Sequence, residues 1–262
     1  MTAQSDSTVS VSFALAIGSG KMEATAQVPS GSTNLTQILP VLQSLDDSLI
    51  AGVAAQYAEA DVHVSCRAGC GTCCRQFVPI SLFEAEALAA WFQTLPEDRQ
   101  QQIADRFHQG LTQFASSGLL EPVLAGEWFS DMESSKQQAL EYLRLRIPCP
   151  FLEDESCSIH PIRPLICREY LVGSDPKFCY EPSTDTVIPI KMPLYFSRVL
   201  VRMAAEIDKG GQGWIPMLFL MAWMKSGARP GECFTADGPH VLYEFIKRVS
   251  VAKPPAEDSK DE

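Results

Sequence analysis

The chain has 262 residues, 46% of them hydrophobic, which is enough to bury one large core or two small ones. Its 21 basic and 32 acidic residues give a formal charge of −11, which argues against broad electrostatic binding to nucleic acid or anionic lipid. An acidic globular protein, without membrane or nucleic-acid partners, is the expectation.

Met1 to Ser12 has no basic region followed by an unbroken apolar run, so it does not resemble a secretory signal. A cytoplasmic, reducing compartment follows as an expectation, in which closely spaced cysteines are metal ligands or redox groups rather than disulfide partners. The alternation of Val9, Val11, Phe13, Leu15 and Ile17 with small residues predicts a half-buried strand. Gly18-Ser19-Gly20 supplies a turn, and Met22, Ala24, Ala26 and Val28 continue the alternation as the second arm of a hairpin.

Thr33 or Asn34 can cap a helix whose Leu35, Ile38, Leu39, Leu42, Leu45, Leu49 and Val53 form one apolar stripe. Pro40 is expected to delay its start or kink it. Ser81 and Glu84 have capping-box spacing, predicting a helix through Trp91 and Phe92. Another begins near Thr94-Leu95-Pro96-Glu97, carries Ile103, Phe107, Leu111 and Phe114, and stops at Ser116-Ser117-Gly118.

Glu121 to Asp131 reads as an irregular connection and Ser134 to Leu145 as a helix ending at Ile147-Pro148. Pro148, Pro150, Pro161, Pro164 and Pro176 then impose a compact loop. Met192 to Ile207, Trp214 to Lys225 and His240 to Val251 read as helices. The apolar window Trp214 to Met224 is about half the length of a membrane span and contains Pro216, so it reads as buried. The fold class is mainly α: a helical domain with an N-terminal β-hairpin and an irregular cysteine-rich core. It reads as one domain over 1–252, with the hairpin at 9–28, the cysteine core at 66–179, C-terminal helices at 192–251 and a frayed tail at 253–262.

Eight of the nine cysteines fall in two blocks. Cys66, Cys70, Cys73 and Cys74 make the first; Cys149, Cys157, Cys167 and Cys179 make the second. Gly69 and Gly71 let the first block bend tightly. Thiolates are soft donors suited to zinc or iron-sulfur clusters rather than magnesium or calcium. Neighbouring side chains of an extended backbone point apart, so Cys73 and Cys74 can serve two sites, or one can ligate while the other packs. Spacing alone leaves open two zinc ions, one cluster with spare cysteines, or two clusters. Arg67, Arg75, Arg163 and Arg168 lie beside the cysteines and are candidate cations for a negatively charged centre.

The pattern Cys-x3-Cys-x2-Cys-Cys, followed by Cys-Pro-Phe-Leu, Cys-Ser-Ile-His, Arg-Pro-Leu-Ile-Cys-Arg-Glu-Tyr and a later cysteine, resembles the YkgJ-type cysteine-cluster family of zinc- or iron-chelating domains. The resemblance covers Cys66 to Cys179 and implies that all eight cysteines are candidate metal ligands. His160 stands where the family often has tyrosine, which favours a packing or hydrogen-bonding role over ligation. Cys233, outside both blocks, reads as a buried structural cysteine.

Three functions compete, and the sequence leaves open whether the protein is an enzyme. The first is an iron-sulfur protein, preferred narrowly over zinc because of the resemblance. The second is a structural zinc module that fixes a surface for a protein partner. The third is a methyltransferase-like enzyme, since flagellin lysine N-methylases are similar in the cysteine block. A radical-enzyme reading of Cys66-x3-Cys70-x2-Cys73 is disfavoured because the chain lacks repeated strand-helix units.

Overall fold

A computed structural model describes residues 7–17, 20–125, 132–183, 186–208 and 211–251. Gly18 and Ser19 of the expected turn, most of the connection before Asp131, and the tail from Lys253 lie outside the described residues. The architecture is mainly α with a small N-terminal antiparallel hairpin, as expected.

Strands β1 (Thr8–Ile17) and β2 (Gly20–Pro29) form that hairpin, with Phe13 opposite Ala24 and Leu15 opposite Met22. Leu15, Ala26 and Val28 are buried, so the period-two reading gives the correct inward face. A short β3 (Ser32–Asn34) leads into α1 (Leu35–Glu59). The Gln37 N–H donates to the Asn34 side chain and the Asn34 N–H donates back to the Gln37 side chain, each at 3.0 Å. This capping box starts the helix ahead of Pro40, overriding the expectation that proline would delay it. All seven residues of the predicted stripe are buried. By length and composition alone α1 is long and apolar enough to cross a membrane, but its apolar stripe lies in the core.

Next come β4 (Pro79–Ser81), α2 (Leu82–Gln93) and α3 (Glu97–Ala115). The expected irregular connection contains a helical turn, α4 (Leu120–Leu124), before α5 (Met132–Arg144). The cysteine-rich segment holds the two-residue strands β5 (Leu152–Glu153) and β6 (Ser156–Cys157) and the short α6 (Leu165–Glu169).

Three further readings need correction. The helix expected from Met192 starts at Phe196 as α7 (Phe196–Ile207); Pro193 precedes it and Tyr195 is extended. The helix expected from Trp214 begins instead as β7 (Trp214–Pro216), antiparallel to β4 with Ile80 opposite Ile215, then passes through a 3-10 turn to α8 (Leu220–Met224). Pro216 lacks the N–H a helix would use and ends the strand. Cys233 is exposed, in a 3-10 turn ahead of β8 (Thr235–Asp237), so it is not a buried structural cysteine. The final α9 (Gly238–Val251) follows, and β8 pairs with β3.

The largest core lies between the hairpin, α1, α7 and α9, with Phe196 and Phe245 ring centroids 5.3 Å apart. A second core joins α2, α3 and α8 to the cysteine segment through Phe151 and Ile159. Phe151, fully buried, meets Phe107 edge-on at 5.5 Å and Trp91 at 6.0 Å. Burying such a ring contributes about 1.5–3 kcal/mol, so the loop between Cys149 and Cys157 is pinned by hydrophobic packing.

Candidate metal centre

The first cysteine block leaves α1 and is tied to the second at its outset: the Ser65 N–H donates to the Val172 carbonyl at 2.9 Å. Gly69 adopts φ +82°, a left-handed conformation that glycine tolerates, and its N–H donates to Ser156 Oγ at 3.1 Å. Gly71 is different. Its φ is −90°, and a Cβ there would lie 2.6 Å from Glu155 Oε2 and 2.7 Å from Leu152 Cδ1. Glycine is needed at Gly71 for close approach of the second block, rather than for the bend expected from sequence.

Thr72–Arg75 forms a 3-10 turn, not extended backbone. Successive side chains therefore rotate by about 120°, and Cys73 and Cys74 diverge without pointing to opposite sides. The Cys149 N–H donates to the Cys74 carbonyl at 2.7 Å, joining the two blocks directly. Beyond Phe151, Asp154 and Glu155 turn the chain at φ 47° and 56°, the geometry of a two-residue hairpin, and place Cys157 opposite Leu152. Arg75 grips Glu155 through two hydrogen bonds, of 2.6 and 2.9 Å.

Cys167 sits on α6, and polar groups from three longer helices hold this segment. Gln43 of α1 donates to the carbonyls of Ile162 and Arg163 at 3.4 and 3.3 Å. Glu84 of α2 accepts from the Leu165 N–H at 2.8 Å while completing its own capping box with Ser81. Glu169 accepts from the Ser197 N–H at 3.0 Å and from the Ser197 hydroxyl, at the start of α7. Sequence reading missed this clamp. Its visible signal is the presence of Gln43 among the buried apolar positions of α1.

All eight cysteines are free thiols around two adjoining cavities. The larger, about 350 Å³, is lined by every one of the eight except Cys149, together with Arg67, His160, Arg163 and Tyr170. The smaller, about 120 Å³, is lined by Cys73, Cys74, Cys149, Cys157 and Cys167 and by apolar residues including Phe77, Ile159 and Met217. Among the described residues, no three His, Cys, Asp or Glu side chains are grouped as a metal site. The thiols surround the space rather than converge on a point. Their chemistry fits a soft metal or an iron-sulfur cluster, which would draw the sulfurs inward as it displaced their protons.

The electrostatics define neighbourhoods. A hydrogen bond from the Cys74 thiol holds Cys73 down at about 7, assisted by the Arg163 guanidinium, while that bond and burial push Cys74 up. Burial pushes Cys149 up to about 12, with Cys157 and Cys73 adding to it. Cys179 is pushed up to about 11 by burial and then by Cys66, Cys70 and Cys73. Burial likewise raises Cys66, Cys157 and Cys167.

The four arginines divide. Arg168 is buried, bonded to Asp47 and to the carbonyls of Arg163 and Pro161. Arg75 is committed to Glu155 and the Gly71 carbonyl. Arg67 and Arg163 line the larger cavity, Arg163 the smaller as well, and the buried Nε of Arg163 has no hydrogen-bond partner. His160 also lines the larger cavity, and burial, then Arg163 and Arg168, hold its ring below the usual imidazole value.

Residues 65–184 match the family model described as "CxxCxxCC: Putative zinc- or iron-chelating domain". No curated protein and no solved structure matches the chain.

Proposed function

We propose, on the premise that residues 65–184 carry a zinc- or iron-chelating domain of the YkgJ-type family, that this protein holds a thiolate-bound iron-sulfur centre. The observation that supports the reading is the gathering of eight free thiols from both blocks around two adjoining cavities. Cys66, Cys70, Cys73, Cys74, Cys149, Cys157, Cys167 and Cys179 are the candidate ligands, four being the complement of one cluster. When bound, such a centre supplies one-electron chemistry at a potential set by charge, hydrogen bonding and exposure. Arg163, facing the sulfurs from between the cavities, offsets the negative charge that a thiolate-bound centre retains.

The size of the larger cavity favours a cluster. A zinc ion bonds sulfur at about 2.3 Å and leaves most of a space of about 350 Å³ unfilled. Anaerobically purified protein is expected to be brown, with broad visible absorption and iron and sulfide in near-equal amounts. A colourless preparation containing stoichiometric zinc would overturn the cluster reading.

Structural zinc, fixing a surface for a protein partner, is the second reading. The apolar walls of the smaller cavity support it, because Cys149 and Cys157 pack against the core around Phe151. A metal ion there stabilises the fold without any open coordination position.

A further inference from the structure

We infer that the eight thiols form two separate four-sulfur metal sites of unlike character, one integral to the core and one exchangeable. This rests on the reading above that the thiols bind metal.

The division follows from which cavity each sulfur faces. Cys66, Cys70 and Cys179 line the larger cavity only, and Cys149 the smaller only. Cys73, Cys74, Cys157 and Cys167 line both and form the wall between them. One wall cysteine given to the larger cavity and three to the smaller makes two complete sets of four, the closed complement of a thiolate site.

Backbone connections decide which wall cysteine belongs to which set. Cys74 is bound through its carbonyl to the Cys149 N–H, so it goes with Cys149. Cys157 and Cys149 pack together against the core around Phe151. Cys167 rides on α6, and Pro164, which caps that helix, and Ile166, next to Cys167 within it, wall the smaller cavity. Cys73 remains, three residues after Cys70 and inside the 3-10 turn Thr72–Arg75. The sets are Cys66, Cys70, Cys73 and Cys179 at the larger cavity, and Cys74, Cys149, Cys157 and Cys167 at the smaller.

Their surroundings differ in a way that sets their behaviour. The first set opens on the exposed loop Arg67-Ala68-Gly69 and shares its cavity with His160 and Ser156. The second is walled by Phe77, Val78, Ile159 and Met217. Removing a metal from the second set strips support from packed core, so its release is coupled to local unfolding; release from the first begins at the exposed Arg67-Ala68-Gly69 loop, which carries Cys66 and Cys70 on either side of it, while Cys179 stays buried.

The test is titration of the reduced, metal-free full-length chain with cobalt(II), followed by release to a chelator. The expected end point is two cobalt ions per chain, with biphasic release in which the slow phase is at least tenfold slower. Cys66→Ser should lower the end point to one and remove the fast phase, leaving the thermal midpoint of the cobalt-loaded protein little changed. Cys149→Ser should remove the slow phase and lower that midpoint; if it does not fold, Cys179→Ser must reproduce Cys66→Ser, losing the fast phase and retaining the slow one.

An end point of one ion, a single release phase, or loss of the whole complement in Cys66→Ser or Cys179→Ser would overturn the division while leaving metal binding itself intact. Absence of any uptake, together with metal-free purified protein, would instead defeat the functional reading on which it rests.

Discussion

Nη1 of Arg168 lies 2.7 Å from both carboxylate oxygens of Asp47, fastening the residue after Cys167 to helix α1 across 121 positions of sequence. The guanidinium is nearly buried and the carboxylate is 55% exposed, so Asp47 is the accessible half of the pair. Asp47→Ala leaves a buried cation with only carbonyl acceptors, and the expected loss is about 1–3 kcal/mol, discounted for the exposure of the aspartate. Asp47→Asn retains an acceptor and should lose about half as much. The change in urea midpoint measures both.

Arg163 gives the opposite pattern. Its side chain faces the thiols and its Nε has no hydrogen-bond partner, while its carbonyl does the structural work by accepting from Gln43 and Arg168. Arg163→Gln should therefore alter stability of the metal-free chain by no more than about 0.5 kcal/mol. Metal retention should fall roughly 10-fold or more, as for other outer groups around a metal. Thermal melting and chelator competition on the same variant separate these effects.

Asp46 predicts a pH dependence. It is fully buried, neither oxygen has a partner, and burial followed by the charges of Glu169 and Asp47 raises its carboxyl from 3.8 to about 9. The unfolded chain releases this proton near the ordinary value, whereas the folded chain keeps it. The unfolded state thus gains as pH rises through the window from about 4 to about 9, and stability is lost in that direction by at most about 1.4 kcal/mol per pH unit. Asp46→Asn removes the ionisation, so its gain over the parent should be larger at pH 8 than at pH 5. Denaturant unfolding at the two pH values checks this, and an equal effect at both would refute it.

Gly69 and Gly71 should respond differently to alanine. Gly69→Ala meets no atom within 4 Å but places a side chain at φ +82°, costing about 1–2 kcal/mol. Gly71→Ala has acceptable backbone angles but drives a methyl into Glu155 and Leu152, costing about 1–3 kcal/mol. Adding Glu155→Ala should recover part of the second loss and none of the first. A double-mutant comparison by denaturant unfolding reads this directly.

The hairpin, the stripe of α1 and the Ser81–Glu84 box were readable because each depends on a short-range period or spacing that survives in a single chain. Trp214–Pro216 was not, because its strand character comes from pairing with Pro79–Ser81, a partner remote in sequence. The same distinction applies at the candidate centre. Cysteine identity and spacing mark the thiols, but the clamp by Gln43, Glu84 and Ser197 depends on three helices meeting one loop. Even the four arginines look alike in sequence; only their partners separate Arg168 and Arg75 from Arg67 and Arg163.

The bond from the Cys149 N–H to the Cys74 carbonyl has a consequence for biogenesis. During synthesis the first four cysteines emerge long before the segment that covers them, and α2 through α5 must be made in between. Throughout that interval the nascent chain exposes a dense patch of thiols with no second block to complete their coordination. The protein should therefore be most vulnerable to oxidation and to capture of the wrong metal while unfinished, and a chain terminated before Pro148 should retain metal poorly. Metal retention by that truncated chain measures how far the late segment guards the early one.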